Sequence, residues 1–344
     1  MAAGVTAPVF INARFRVQAM TGVQRFAAEI SDALAEIWPG VRALAPGRGG
    51  VAGQLWEQVA LPWAARGGVL VNLGNTAPVL GGRRIVVIHD AGPAAMPEAY
   101  GWAFRAWYGV MQRALFGGGA VVATVSGFAR DELARVFGAD PAGIAVLGEG
   151  AEHILRPPAD GTVLARNGLV AGRFVLVVGS LAAHKNLAAL GETARMLAGR
   201  GLDLVVTGGL ATRVFAGGAA LPAPARYVGR VDDAELRALY EAAACFVFPS
   251  RYEGFGLPAV EAMACGCPVV ASRAASLPEV CGEAAVYCDP DSSEDISRAV
   301  ASVLDNAELA EALRQRGLAR VAGMTWAAAA ARLRDLIVEV ERRA

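Results

Sequence analysis

The chain has 344 residues, 55% of them hydrophobic and 19% charged, and its 32 basic and 32 acidic residues leave a formal net charge of zero. This length exceeds one ordinary hydrophobic core, so two domains of similar size are expected, with a single barrel as the other option. The balance excludes a disordered chain, and Lys and Arg are spread rather than clustered, which removes the electrostatic footprint of a nucleic-acid binder.

The start, MAAGVTAPVFINARF, lacks the basic-then-apolar layout of a signal peptide, and no 18-residue apolar run is free of charges or Gly/Pro breaks, so a cytosolic chain is expected. VFINARF begins as a strand, TGVQRFAAEISDALAEIW has helical periodicity, RRIVVIHD is a strand ending in polar residues, and AVVATVS is a strand before the helix FARDELARVFG. This alternation predicts a parallel sheet covered by helices. Residues 39–82, rich in Gly and Pro, give no boundary.

The Pro- and Gly-bearing stretch HILRPPADGTVLARNGLVAGR reads as an interdomain linker. A second cycle follows: the strand FVLVVGS, the helix HKNLAALGETARMLAGRG, the strand LDLVVTGG, the helix DDAELRALYEAA with its acidic start, and the strand CFVFPS. LPAVEAMACG then reads as a short helix, CPVVAS as a strand, EDISRAVASVLD as a helix, and TWAAAAARLRDLIVEVERRA as a long helix with an apolar stripe and a basic end. The predicted architecture is α/β, with two doubly wound Rossmann-like domains at 1–157 and 158–322 and a C-terminal helix at 323–344. Two such sheets facing each other through their strand carboxyl ends would leave a central cleft, although fold alone names no reaction.

All five cysteines, Cys245, Cys265, Cys267, Cys281 and Cys288, lie in the second half, and their odd number argues against a disulfide framework. Reduced thiols fit the cytosol. Cys265 and Cys267 are closer together than usual metal-ligand pairs and the three histidines are distant in sequence, so small buried residues near a tight turn are the favoured reading over a metal site.

The segment RYEGFGLPAVEAMACGCPVVAS, residues 251–272, carries the most chemistry. Pro258 suits a first helical turn, which would leave the backbone N–H groups of Phe255, Gly256 and Leu257 at a helix N-terminus able to hold an anion. Glu253 before that helix and Glu261 one turn inside it would repel a phosphate unless they accept hydrogen bonds from hydroxyls of the same ligand, as a nucleotide sugar offers. The plainer alternative is a helix start with two surface acids. In VLVVGSLAAHKNL, Lys185 at a predicted helix start opposes the macrodipole unless an anion lies between them, or its side chain swings into water. His89 ends the strand of IVVIHD, where open α/β sheets bind ligands, and a satisfied structural histidine is the alternative. In YGWAFRAWYGVMQRALF, from Tyr100, aromatics alternate with Arg105 and Arg113; helix packing is favoured over peripheral membrane contact.

E-G-F-G-L-P-x-x-E-A-M-A-x-G-x-P-V-V resembles the signature of the retaining glycosyltransferases of family 4, which have the two-domain GT-B fold, and the agreement extends through GSLAAHKNL, YVGRVDDAELRALYEAAACFVFPS, IVVIHD, TVSGFARDEL and TGVQRFAAEI. The resemblance implies an acceptor-binding first domain, a nucleotide-sugar-binding second domain and a C-terminal helix packing back on the first. It implies that Glu261 holds the donor ribose, that Glu253 contacts the donor sugar, and that Gly254, Phe255, Gly256 and Leu257 face sugar and phosphate. Lys185 is implied on the diphosphate, with Ser180 and Arg230 in the donor-facing set, and His89 beside the reacting sugar. Gly22 and Gln24 of T-G-V-Q fall on the loop facing phosphates and acceptor, Gln24 on the acceptor side. Two departures stand out: Ser180 occupies a place that many relatives fill with a second basic residue, and Glu149-Gly150-Ala151-Glu152, followed by His153, replaces the usual N-G-V-D.

Glycosyl transfer builds negative charge on the leaving nucleoside diphosphate while the sugar becomes oxocarbenium-like. By the resemblance the chain is a hexosyltransferase of polysaccharide biosynthesis, with His89, Lys185 and Glu253 as catalytic residues, no metal and no cofactor. GDP-mannose is the first donor to consider, which would make it a mannosyltransferase, with UDP- and dTDP-sugars next. The acceptor is expected to be a glycan or a lipid-linked sugar, with peripheral contact at the inner face of the membrane an open option. Two alternatives stay open: a phosphorylase- or epimerase-like enzyme of the same fold without a separate acceptor, and a non-catalytic nucleotide-sugar-binding module.

Overall fold

Short runs of β-branched and aliphatic residues such as VFIN, VLVN and RIVV are buried along their whole length, the pattern of strands covered on both faces. The computed structural model describes residues 7–209 and 221–343. The first residues, on which the signal-peptide reading partly rests, lie outside the described residues. The chain divides into a first unit of Met1–Ala95, Arg105–Gly150 and Thr325–Ala344 and a second of Met96–Phe104 and Ala151–Met324.

In the first unit, strands β1 (Val9–Asn12), β2 (Arg42–Leu44), β3 (Val69–Asn72), β4 (Arg84–Val87), β5 (Val121–Thr124) and β6 (Ala145–Val146) form one parallel sheet in the order β2-β1-β3-β4-β5-β6. Helices α1 (Gly22–Ile37), α2 (Gly50–Ala64), α3 (Gly92–Ala95), α4 (Trp102–Gly117) and α5 (Gly127–Phe137) are interleaved with these strands. The strand order reverses between β1 and β3, which opens a crevice at their carboxyl ends.

The second unit carries α6 (Thr162–Arg166), β7 (Phe174–Val178), α7 (Gly191–Gly199), β8 (Asp203–Thr207), β9 (Arg226–Gly229), α8 (Asp233–Ala242), β10 (Cys245–Phe248), α9 (Leu257–Ala264), β11 (Val269–Ser272), α10 (Leu277–Cys281), β12 (Ala285–Cys288), α11 (Ser293–Leu304) and α12 (Ala307–Val321). Its parallel sheet has the order β12-β11-β10-β7-β8-β9 and reverses between β7 and β10. One core fills the space between sheet and helices, with Val175, Val177, Val206, Val247 and Val270 from the strands meeting Leu190, Leu197, Ile296 and Val300 from the helical side. Helix α8 begins with a reciprocal capping box between Asp232 and Glu235.

The last helix, α13 (Trp326–Arg342), is capped by Thr325 and belongs to the first unit. Its fully buried Trp326 meets Phe26 of α1 edge to face at 5.9 Å, and Leu333 and Ile337 continue the buried stripe. The division between units falls after Gly150 rather than after residue 157. Arg237 of α8 explains this, since its guanidinium donates to the carbonyls of Leu155 at 2.8 Å and Pro157 at 3.0 Å and ties that segment to the second unit.

Three local readings change. The stretch 39–82 contains β2, α2 and β3. The expected linker holds a 3-10 turn at Glu152–Leu155 and α6. The helix expected from residue 184 starts only at Gly191, after 3-10 turns at Ala183–Lys185 and Leu187–Leu190. Asn186 separates those turns with φ +58, its amide donating to the carbonyls of Pro249 and Pro290, so the chain is drawn inward instead of coiling. Lys185 therefore does not sit at an α-helix N-terminus, and no macrodipole opposes it there.

Candidate active site

In the second unit the loop after β7 and the loop after β10 meet at the point where the strand order reverses. Lys185 comes from the first and Glu253 from the second, and the Lys185 ammonium donates to both carboxylate oxygens at 2.7 and 3.0 Å. The pair is only partly open to solvent, with side-chain exposures of 19% and 12%, and the ammonium also lies 5.5 Å over the Phe248 ring. A carboxylate and an ammonium at a switch point provide adjacent groups of opposite sign for a ligand bearing both hydroxyls and phosphates.

The Glu253–Leu257 loop is held from behind. Ser276 Oγ donates to the backbone carbonyls of Glu253 at 2.9 Å and Phe255 at 2.8 Å. Gly256 is the cap of α9 with φ +104, and a Cβ placed there would lie 2.6 Å from a Leu277 methyl, so the tight entry to the helix requires glycine. Pro258, which has no N–H, stands in the first turn of α9, no side chain caps the helix, and the Ala259 N–H turns back to the Gly256 carbonyl at 2.9 Å, so the backbone N–H groups that could meet a ligand here are those of Phe255, Gly256 and Leu257. Ser180 follows β7 half-buried, and Arg230 follows β9 exposed. Strand β9 is two places from β7 in the sheet, so Arg230 does not share the switch point with Lys185.

Glu261, on α9, is not a surface acid, being 7% exposed. Its Oε1 accepts from His153 Nε2 at 2.9 Å and its Oε2 from the Tyr240 hydroxyl at 3.2 Å. Burial, and then the neighbouring Glu261 carboxylate, pushes the Tyr240 phenol well above its ordinary range, so the hydroxyl stays protonated and donates. His184, before Lys185, is pushed down to about 4 by burial and then by the Lys185 charge, and its ring is stacked parallel to Tyr100 at 6.5 Å.

In the first unit His89 ends the segment after β4 and is 5% exposed. Its Nε2 lies 3.1 Å from the Leu73 carbonyl, its Nδ1 3.7 Å from Glu149, and its ring edge-on to Phe26 at 4.7 Å. Gly22 opens α1 with open space where a Cβ would stand, and Gln24 is bonded to Thr21 and, at 3.0 Å, to Gln18. These residues belong to the first unit, whereas Lys185, Glu253 and Glu261 belong to the second.

Sequence reasoning missed a buried polar network at the switch point of the first sheet. Glu57 of α2, 2% exposed, accepts through Oε2 from Asn12 at 2.8 Å, Arg14 at 2.9 Å and Thr76 at 3.0 Å, and Asn12 also donates to Asn72 at 3.0 Å. Asn12 and Asn72 end β1 and β3, and polar residues closing two apolar strands were the available signal. His153 and Tyr240 were likewise not read as partners of Glu261, since both are far from it in sequence. Among the described residues no group of three His, Cys, Asp or Glu side chains is placed to hold a metal ion. All five cysteines are free, and burial pushes the Cys245, Cys265, Cys281 and Cys288 thiols up to about 12.

Comparison with known proteins places this geometry among relatives. Residues 167–320 match the family model described as glycosyl transferases group 1. The O-antigen chain mannosyltransferase B of Escherichia coli is 35% identical over 222 residues, covering 60% of this chain and 57% of that protein. The MMP alpha-(1->4)-mannosyltransferase of Mycolicibacterium hassiacum is 42% identical over 105 residues, covering 29% of this chain and 26% of that protein. The chain thus spans little more than half the length of the first of these curated relatives and about a quarter of the second. Among solved structures, sucrose-phosphate synthase from Thermosynechococcus elongatus superimposes with a TM-score of 0.78 at 18% identity, covering 98% of this chain and 100% of that one. HepE from Anabaena in complex with UDP-glucose gives 0.73 at 15% identity, covering 98% and 99%. These likenesses show that the chain has the GT-B fold.

Proposed function

We propose, from the match of residues 167–320 to the family model of group 1 glycosyl transferases, that the chain moves a sugar from a nucleoside-diphosphate donor to a glycan or lipid-linked acceptor with retention of anomeric configuration. The observation that carries this reading is the Lys185–Glu253 pair at the switch point of the second sheet, with Glu253 four residues before the start of α9, which no side chain caps. Lys185 and the backbone N–H groups of Phe255, Gly256 and Leu257 stabilise the charge that grows on the leaving diphosphate, an electrostatic contribution set in place before the reaction. Glu253, freed from Lys185 by the incoming phosphate, accepts from hydroxyls of the donor sugar, and Glu261 accepts from the ribose. Gly254, Phe255, Gly256 and Leu257 line the donor, with Ser180 and Arg230 contributing at its edge. In the first unit Gly22 faces the phosphates, Gln24 the acceptor, and His89 the reacting sugar. The departing phosphate assists front-side attack by the acceptor, without a metal or other cofactor.

GDP-mannose is the first donor, supported by the mannosyltransferases among the relatives, and a UDP-sugar is the next. The reading places the chain in the cytoplasm, which suits five free cysteines, with no nucleic-acid partner. It also places the first unit against the inner face of a membrane bearing the acceptor. The support there is that the exposed residues of α2 are all apolar, among them Val51, Leu55, Val59 and Trp63. Among the described residues no helix is long and apolar enough to cross a membrane.

The test is calorimetry with GDP and UDP, followed by proton NMR of the product formed in excess EDTA. Nucleoside-diphosphate binding and a product with the anomeric configuration of the donor are expected. An inverted product contradicts the stereochemistry, and turnover that stops in EDTA and returns with Mg²⁺ contradicts the metal-free leaving-group chemistry.

A further inference from the structure

The segment Glu149–His153, where the chain departs from its family's pattern, ends in a histidine that none of the proposed steps uses. His153 is 2% exposed, in the 3-10 turn Glu152–Leu155, and its Nε2 lies 2.9 Å from Glu261 Oε1. On the other carboxylate oxygen the Tyr240 hydroxyl, which also reaches the Pro258 carbonyl at 3.2 Å, donates at 3.2 Å. A carboxylate offers about four lone-pair directions, two per oxygen. Each oxygen of Glu261 thus has one protein donor fixed on it and one direction left, and a ribose cis-diol has two hydroxyl donors to fill them.

We infer that His153 is a positioning residue: together with Tyr240 it fixes the rotation of the Glu261 carboxylate so that its two remaining lone pairs meet the 2′- and 3′-hydroxyls of the donor ribose. The inference rests on the proposed role of Glu261 as ribose acceptor. Without the imidazole the carboxylate pivots about its bond to Tyr240 and offers one well-aimed oxygen instead of two. Its consequence is selective: a nucleotide lacking the 2′-hydroxyl keeps only the 3′-hydroxyl bond, which one well-aimed oxygen still serves, so His153 contributes mainly to binding of the ribose form. A histidine that merely supports the fold would weaken both alike.

The experiment measures, by calorimetry on the full chain, the affinity for GDP and UDP and for their 2′-deoxy forms in the wild type, His153→Phe, His153→Gln and Glu261→Ala, with a thermal melt of each. The wild type is expected to bind the better ribonucleotide roughly ten- to a hundred-fold more tightly than its deoxy form, the range of hydrogen bonds to a charged group. His153→Phe and Glu261→Ala are expected to bring that ratio to about two or below, while His153→Gln, whose amide N–H stands near the position of Nε2, restores it. If the wild type discriminates and His153→Phe discriminates equally, the positioning role is overturned and the ribose assignment of Glu261 stands. If the wild type does not discriminate, or binds neither nucleotide, the assignment of Glu261 falls and the inference falls with it. Should His153→Phe fail to fold, the folded His153→Gln decides: loss of the ratio there contradicts the inference, and its retention with loss in Glu261→Ala supports it.

Discussion

Glu261 is a buried carboxylate with one protein hydrogen-bond donor on each of its two oxygens. Glu261→Ala is expected to lower nucleoside-diphosphate affinity by roughly one to two orders of magnitude while acceptor affinity holds, and unchanged affinity by calorimetry would remove the ribose role. At Lys185 the expectation has two parts. Charge on the diphosphate grows toward the transition state, so Lys185→Ala should lower kcat by about 10²–10³ and raise the donor KM less. It should also lower the melting temperature, because the Glu253 carboxylate loses its bidentate partner in a pocket where it is only 12% exposed. Breaking a fully buried pair costs about 3–5 kcal/mol and an exposed one at most about 1, so about 1–2 kcal/mol is expected here, read by urea titration beside steady-state kinetics. The sequence made each of these residues visible on its own, through the E-G-F-G-L-P spacing and the strand-loop-lysine pattern. It could not show that Lys185 and Glu253 touch, since 68 residues separate them, nor that His153 would reach Glu261 across 108.

The start of α9 depends on one conformation. Gly256→Ala would force a side chain into φ +104 and against the buried Leu277, so a loss of about 1–3 kcal/mol is expected from the backbone alone, measured by urea unfolding. The turn before Lys185 supplies a pH dependence. The His184 imidazole titrates at about 4 in the fold against an ordinary 6.5, so the unfolded chain binds the proton more readily. Its contribution to stability is complete above pH 6.5 and is lost as pH falls toward 4. A His184→Gln variant should show a flatter fall in melting temperature across that window, and identical pH profiles would contradict the assignment. Elements with ordinary amphipathic patterns, such as α1, α8 and α11, were legible in the chain. Helix α2 was not, for a physical reason: it buries the charged Glu57 in the network with Arg14 and exposes Val51, Leu55, Val59 and Trp63, inverting the pattern by which surface helices are recognised. Its flanking glycines and internal Pro62 hid it further.

Two doubly wound sheets, each with its own reversal of strand order, were readable from the alternation of apolar runs and helical stretches, and so was the position of the nucleotide-facing segment in the second. What patterning could not supply was the filling of the first unit's switch point by Asn12, Glu57, Asn72 and Thr76, because satisfaction of buried polar groups is a property of packing. The apolar exposed face of α2 also yields a prediction for the whole protein. Replacing Leu55, Val59 and Trp63 by serine should weaken sedimentation with phosphatidylglycerol vesicles by roughly ten-fold or more, from the apolar burial lost, and leave nucleoside-diphosphate affinity unchanged. The central claim is sugar transfer, and it is tested most directly by incubating the chain with GDP-[¹⁴C]mannose and UDP-[¹⁴C]glucose together with a lipid-linked saccharide acceptor, then separating lipid, nucleotide and free-sugar fractions. The account predicts label in the lipid fraction matched by release of the nucleoside diphosphate, dependent on both acceptor and Lys185; label that stays in the nucleotide fraction, whether unchanged or converted to another nucleotide sugar without acceptor, would contradict it.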